Sequence, residues 1–140
     1  MEVTIKPFYG YVLMLCIFMA LQNFITGLIT GANSRTRTVN KDWMDRNFKK
    51  EHDKAFGEGQ APHLNDLGFP DSGSGRYASF LSYKKWFIMN QWQRSQGNCN
   101  EYIFQTIVFT LIIGINHPYS TIFILALLIP ARFLYTVGYI

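Results

Sequence analysis

Phe8 to Thr30 (FYGYVLMLCIFMALQNFITGLIT) is a run of 23 residues without a formal charge. About 20 apolar residues suffice to cross the hydrocarbon core of a bilayer. Inside lipid, backbone N–H and C=O groups have no water to bond, so an isolated crossing segment must be a helix. A cleaved signal peptide competes with this reading. However, the apolar stretch is longer than a typical signal core, and only Lys6 supplies positive charge ahead of it. The expectation is a retained transmembrane helix over 8–30.

The charge distribution supports this expectation. Of thirteen Lys and Arg residues, eleven lie between Gly31 and Gly97, and so do seven of the nine acids. Charged residues make up 16% of the chain, against about 25% in ordinary soluble proteins. A soluble domain spreads its charges over its whole surface, whereas a membrane protein confines them to its loops. Tyr119 to Tyr139 (YSTIFILALLIPARFLYTVGY) is a second apolar run, interrupted only by Pro130 and Arg132. Asn98 to Ile115 is polar in its first third and apolar afterwards. It is joined to the last run by Asn116-His117-Pro118, a turn signal. A helical hairpin with so short a turn places both arms in one medium. The chain therefore reads as one all-α membrane domain over 1–140, with helices at 8–30, 98–115 and 119–139 and a long polar loop over 31–97.

The basic loop, set against the uncharged turn at Asn116, faces the cytoplasm or a mitochondrial matrix by the positive-inside tendency. Within it, Asn40 to Lys54 has the pattern of an amphipathic surface helix, with Trp43, Met44 and Phe48 directed at the interface. Gly57 to Gly75 is rich in Gly, Pro, Asp and Ser and reads as irregular loop. Tyr77 to Trp92 is aromatic with a Lys pair, a headgroup-level composition rather than a nucleic-acid-binding one. His52 and His63 have no partner at ligand spacing, and Cys16 and Cys99 offer neither a disulfide framework nor a metal site. Both cysteines read as free thiols, Cys99 the more reactive for its polar neighbours.

Charged groups inside a span mark a functional hypothesis, because each is costly there unless paired. Arg94, Asn98, Glu101 and Gln105 fall on one face of the middle helix, and Arg132, Tyr135, Thr136 and Tyr139 on one face of the last. Counting outward from His117 puts Glu101 and Arg132 at nearly the same height. The expectation is a buried ion pair between them, with Asn98 and Tyr139 as hydrogen-bond partners. Such a constellation either holds helices together or forms an anionic-ligand site with Arg94, Arg35 and Arg37 as further cations.

These residues resemble the MAPEG family, the membrane-associated proteins of eicosanoid and glutathione metabolism. Arg94-Ser-Gln-Gly-Asn98-Cys-Asn-Glu101 is similar to the family's second-helix motif. Ala131-Arg132-Phe-Leu-Tyr-Thr136-Val-Gly-Tyr139 is similar to its third-helix motif, and Arg35-Thr-Arg37 to the Arg-x-Arg after its first helix. Phe56-Gly57-Glu58-Gly59 resembles part of the microsomal transferase loop. The resemblance implies a helical bundle, a homotrimer, and a glutathione site held by Arg35 or Arg37 together with Arg94, Asn98, Glu101, Arg132 and Tyr139. It also exposes departures. The chain stops at Ile140 where the family has a fourth helix with a thiol-activating Arg. Tyr135 stands where a His is usual, as does Gln96 near the second-helix motif. A stretch around Leu64 to Tyr83 is inserted.

Two functions follow as expectations. One is a MAPEG-like protein without catalytic residues, serving as an accessory subunit of a larger membrane complex. The other is a glutathione transferase or peroxidase acting on lipophilic electrophiles. Neither reading calls for a metal, glutathione is the one small molecule implied, and the partners are the bilayer with other membrane subunits or further copies of the chain. The mitochondrial inner membrane and the endoplasmic reticulum both fit.

Overall fold

A computed structural model describes residues 5–57 and 63–140. Part of the Phe56–Gly59 match therefore lies outside the described residues. Those residues form five helices and no strands: α1 (Tyr9–Thr38), α2 (Lys41–Phe56), α3 (Arg76–Ser79), α4 (Tyr83–Asn116) and α5 (Pro118–Tyr139). Their contacts gather into two compact units. One comprises the chain up to Leu28 together with Ser95–Ile140; the other is Ile29–Arg94.

The first unit is a bundle of α1, α4 and α5. Helices α1 and α5 are long and apolar enough to cross a membrane. Their outer faces carry large exposed apolar side chains such as Ile17, Phe24, Phe123 and Leu134, which suits lipid and not water. Inside, Val12, Cys16, Met19 and Leu125 form the core, flanked by Ile103, Ile107 and Leu128. The Lys6 ammonium donates to the Asn116 carbonyl at 2.6 Å and the Tyr9 hydroxyl to that of Leu111 at 3.1 Å. Further along, Asn23 Nδ2 donates to Asn100 Oδ1 at 2.9 Å. Rising numbers on α1 meet falling numbers on α4, so the two are antiparallel. Gly114 permits their close approach: a Cβ there would lie 2.9 Å from Val12 Cγ1. Pro118 opens α5 at a position that has no intrahelical acceptor for an N–H. The expected turn at 116–118 is thus formed.

The second unit is the loop, and it is more ordered than its composition suggests. Asn40 caps α2 by accepting from the Trp43 N–H at 3.1 Å. Gly57 closes the same helix at φ 84°, a left-handed value that favours glycine. Met44 and Phe48 are buried against Val39 and Met89, so the apolar face of α2 packs on protein rather than on the lipid interface. Phe48 stands edge-on to Tyr77 and Phe80, with centroids 4.7 and 5.2 Å away. The aromatic segment expected at headgroup level is therefore partly a protein core. Helix α4 begins at Tyr83 and not near Asn98, giving 34 residues. No Pro interrupts it and the first Gly is Gly97, so nothing stops the helix from extending back into the polar sequence.

Candidate functional site

In the bundle, polar side chains of α1 meet polar side chains of α4 and the end of α5. Asn100 Oδ1 accepts from both Asn23 and Gln96, at 2.9 and 3.0 Å. Gln22 Nε2 donates to the Ile129 carbonyl at 3.0 Å, tying α1 to α5. Asn98 Nδ2 donates to the Tyr135 hydroxyl at 2.6 Å, and Tyr135 lies 5.5 Å from the Tyr139 ring. Several oxygens in this seam are left over: Gln22 Oε1, Asn23 Oδ1 and Gln96 Oε1 are buried with no hydrogen-bond partner.

Beside the seam lies a partly open pocket, whose roughly 380 Å³ of empty volume includes open solvent. Gln22, Asn23 and Thr26 line it from α1, Cys99 and Thr106 from α4, and Arg132 and Thr136 from α5. Met19, Ile103 and Leu128 supply apolar wall. The cavity therefore offers one cation, one thiol, unpartnered acceptors and an oily surface.

The expected ion pair is not formed within the chain. The ion pairs among the described residues are Lys41–Asp66 and Arg76–Glu51, both in the loop unit. Glu101 is exposed on α4, while the Arg132 guanidinium sits 5.8 Å from the centroid of the Tyr102 ring. The height argument holds, because Asn98 and Tyr135, each three residues from the expected pair, bond across the hairpin. The azimuth does not: one position along α4 rotates the side chain by about 100°, and it is Tyr102 that turns toward Arg132. Asn98 bonds instead to Tyr135.

In the loop unit, Arg35 is only 4% exposed. Its Nη1 donates to the Leu67 carbonyl at 2.9 Å and its Nη2 to the Asp71 carbonyl at 2.6 Å. The guanidinium lies 3.6 Å from the centroid of Phe69. A buried cation needs such partners, and these come from the inserted stretch. Little surface is left on Arg35 for an outside anion. Arg37 faces the Trp92 ring at 5.8 Å. Arg94 is exposed and makes no hydrogen bond or ion pair among the described residues.

Asp71 organises the rest of this stretch. Its Oδ1 accepts from the Gly73 and Gly75 N–H groups at 2.7 and 2.8 Å, and its Oδ2 from Ala78 N–H at 2.7 Å. Burial pushes the carboxyl upward, but the N–H donors of Ala78, Gly73, Gly75 and Tyr77 outweigh it and hold Asp71 below the usual carboxylate range. Gly73 sits at φ 110°, and a Cβ on Gly75 would lie 2.7 Å from the Asp71 carboxyl carbon. The run Asp71-Ser-Gly-Ser-Gly75 is a carboxylate wrapped by its own backbone.

The amides of α1 belong to this site although they carry no charge. Gln22, Asn23 and Thr26 stand as polar residues in an otherwise apolar run, on neighbouring helical positions, and that was a visible signal. Among the described residues, no group of three His, Cys, Asp or Glu side chains is arranged to hold a metal.

A family model described as the MAPEG family matches residues 12–140. The chain belongs to the MAPEG family. No curated protein and no solved structure matches the chain. Membership agrees with the apolar outer faces of α1 and α5 in describing a membrane protein.

Proposed function

We propose that this MAPEG-family protein is a non-catalytic structural subunit of a larger membrane assembly. The observation that carries the reading is Arg35. The resemblance assigns either Arg35 or Arg37 to glutathione, and here the nitrogens of Arg35 are bonded to the carbonyls of Leu67 and Asp71 and its face is stacked on Phe69. A cation used to anchor an ordered loop is poorly placed to capture a soluble thiol. The loop so anchored is an added surface for protein contact.

In this reading α4 is the third span. At about 1.5 Å per residue its 34 residues reach about 50 Å, so the apolar half toward Asn116 crosses while the half from Tyr83 stands in the headgroup region and beyond. The short connection at His117 keeps α4 and α5 in the same medium. The basic loop then lies on the cytoplasmic or matrix side, in the endoplasmic reticulum or the mitochondrial inner membrane. Glu101 and Gln105 are exposed on this span. A carboxylate at such a place needs a protein or aqueous neighbour rather than lipid, which supports a partner subunit or further copies of the chain.

A second reading, a membrane-bound glutathione transferase or peroxidase, is favoured by Arg94, Asn98, Glu101, Arg132 and Tyr139 at the family positions. Arg37 remains as a cation for either reading. The native mass of the complex extracted in mild detergent separates the two. Co-migration with many other subunits and no retention of glutathione supports the structural role. A particle close to three chains that conjugates glutathione to an apolar electrophile overturns it.

A further inference from the structure

The start of α4 carries a patch that the fold leaves uncovered. Six consecutive residues, Ser82 to Phe87, are exposed. A helix packed on a neighbour hides one side every three to four residues. More than a full turn exposed therefore means that no described part of the chain covers any side of it. The same helix is buried again at Met89. The rings of this turn are gathered rather than scattered: Tyr83 lies 5.9 Å from Trp86 and 6.0 Å from Phe87, centroid to centroid. Tyr83 is 75% exposed, and Phe80, just ahead of the helix, is 61% exposed. Lys84 and Lys85 stand in the same turn and make no ion pair among the described residues. No Asp or Glu occurs between Asp71 and Glu101, whereas Arg76, Lys84, Lys85 and Arg94 do.

We propose that this patch is a docking surface for anionic lipid headgroups. Lysine ammoniums suit the phosphate and carboxylate groups of such lipids. Trp and Tyr seat an apolar ring with a polar edge at the same depth of a bilayer. In the docked state the lysine stems cover the rings while their heads reach the charges. Two observations favour lipid over an acidic protein. Protein interfaces are rich in aromatic residues but poor in Lys, whereas this turn sets two lysines among three rings. Both α1 and α4 also run through the loop unit and the bundle, and α1 is long and apolar enough to cross a membrane. A bilayer is thus tethered to the patch at high effective concentration. Docking neutralises the positive stretch from Arg76 to Arg94 and takes the rings out of water. The proposal stands apart from the structural-subunit reading and from glutathione, because it needs only the bilayer.

The test uses the full chain in lipid nanodiscs, either of phosphatidylcholine alone or with about a third phosphatidylserine. Part of the lipid is brominated near the headgroup end of its chains, and bromine quenches nearby indole fluorescence. Subtracting the signal of Trp86→Phe isolates Trp86 from Trp43 and Trp92. The expected result is quenching of Trp86 that is stronger in the anionic discs. It falls back at about 1 M salt, where the screening length shortens to about 3 Å. Each lysine near an anionic surface shifts such an equilibrium about fivefold, so Lys84→Gln with Lys85→Gln returns Trp86 to its neutral-disc level. Protease resistance between Leu64 and Tyr83 reports folding of that variant, and if it is lost the two single substitutions decide in its place. Equal quenching in the two lipids overturns the proposal, as does an anionic increment that survives the loss of both lysines. Trp86 unquenched in anionic discs but covered in the native complex assigns the patch to a protein partner, which overturns it as well.

Discussion

The loop unit and the helix bundle handle buried polar groups in opposite ways. In the loop, Arg35 and Asp71 are hidden, and both bond mainly to backbone: two carbonyls for the cation, three N–H groups within 2.8 Å for the carboxylate. In the bundle, amide side chains bond to one another and leave oxygens of Gln22, Asn23 and Gln96 without partners. Backbone groups are held by the whole fold around them and cannot rotate away, so a charge bonded to them fixes one conformation. Amide side chains can exchange partners, and a partly open pocket lies beside them. The region rich in Gly, Pro and Ser is thus the more tightly specified of the two, while the apolar bundle keeps the spare room.

The sharpest way to break this comparison is to remove the carboxylate. Asp71→Ala leaves the N–H groups of Gly73, Gly75 and Ala78 without their acceptor in a buried setting. An unsatisfied buried donor costs about 1–3 kcal/mol each, so the expected loss is about 3–5 kcal/mol in the loop unit. Limited proteolysis of the chain in detergent reads it as rapid cleavage between Leu64 and Tyr83, with α5 still protected. Resistance equal to the parent would mean that the Asp71 wrap contributes little. Arg35→Met should have a similar but smaller effect, because the aliphatic stem can still cover Phe69 while the carbonyls of Leu67 and Asp71 lose their donor.

The same group gives the comparison a pH axis. Asp71 has a folded pKa below its unfolded value, which for a free Asp is about 3.9. Its contribution is therefore fully present above about pH 4–5 and is lost as pH falls through the lower folded value. Protease resistance of the loop should stay level from neutral pH down to that range and drop below it. Asp71→Asn should lower resistance at neutral pH and flatten the acid-side fall. An acid-side fall of the same size in that variant would assign the effect to other carboxylates.

How much of this was legible in residues differs between the two regions. The apolar runs of α1 and α5 and the turn at His117 follow from hydropathy and one Pro, which act locally. The level of Arg132 against Glu101 was readable from counting along a hairpin. Which α4 side chain turns toward Arg132 was not, because a rotation of one residue about the helix axis exchanges Glu101 for Tyr102 without altering any count. The start of α4 at Tyr83 was hidden for another reason: hydropathy marks where a helix is apolar, not where hydrogen bonding ends. In the loop, Asp71-Ser-Gly-Ser-Gly75 reads as irregular, and it is, but irregular backbone can be rigid when one carboxylate gathers its N–H groups. Family motifs point to Arg94, Asn98 and Tyr139 by spacing alone. They carried Arg35 only as a residue type, since its neighbours come from an inserted stretch with no counterpart in the motif.

Within the bundle, the closest backbone approach gives the next largest effect. Gly114→Val places a branched side chain where even a Cβ would meet Val12 Cγ1 at 2.9 Å and Tyr9 Cε2 at 3.3 Å. Overpacking of this kind typically costs about 1–3 kcal/mol. The measurement is the thermal midpoint of helix loss in detergent, followed by circular dichroism. An unchanged midpoint would mean that α1 moves away from α4 at no cost.

The smallest effect is expected at the amide seam, and its size decides whether the contrast between the units is real. Interhelical polar bonds in membranes are commonly worth about 0.6–2 kcal/mol. Asn23→Leu removes the bond to Asn100 but also removes a buried oxygen that has no partner, and the two changes oppose each other. The net shift should fall at or below the lower end of that range, well under the loss from Asp71→Ala. Gln96→Leu should behave alike, since Gln96 also donates at 3.0 Å to Asn100 while its own oxygen is unpartnered. A shift for Asn23→Leu as large as that for Asp71→Ala would show that the seam is as tightly specified as the loop. The unpartnered oxygens would then have to be satisfied by bound water or a ligand in the cavity.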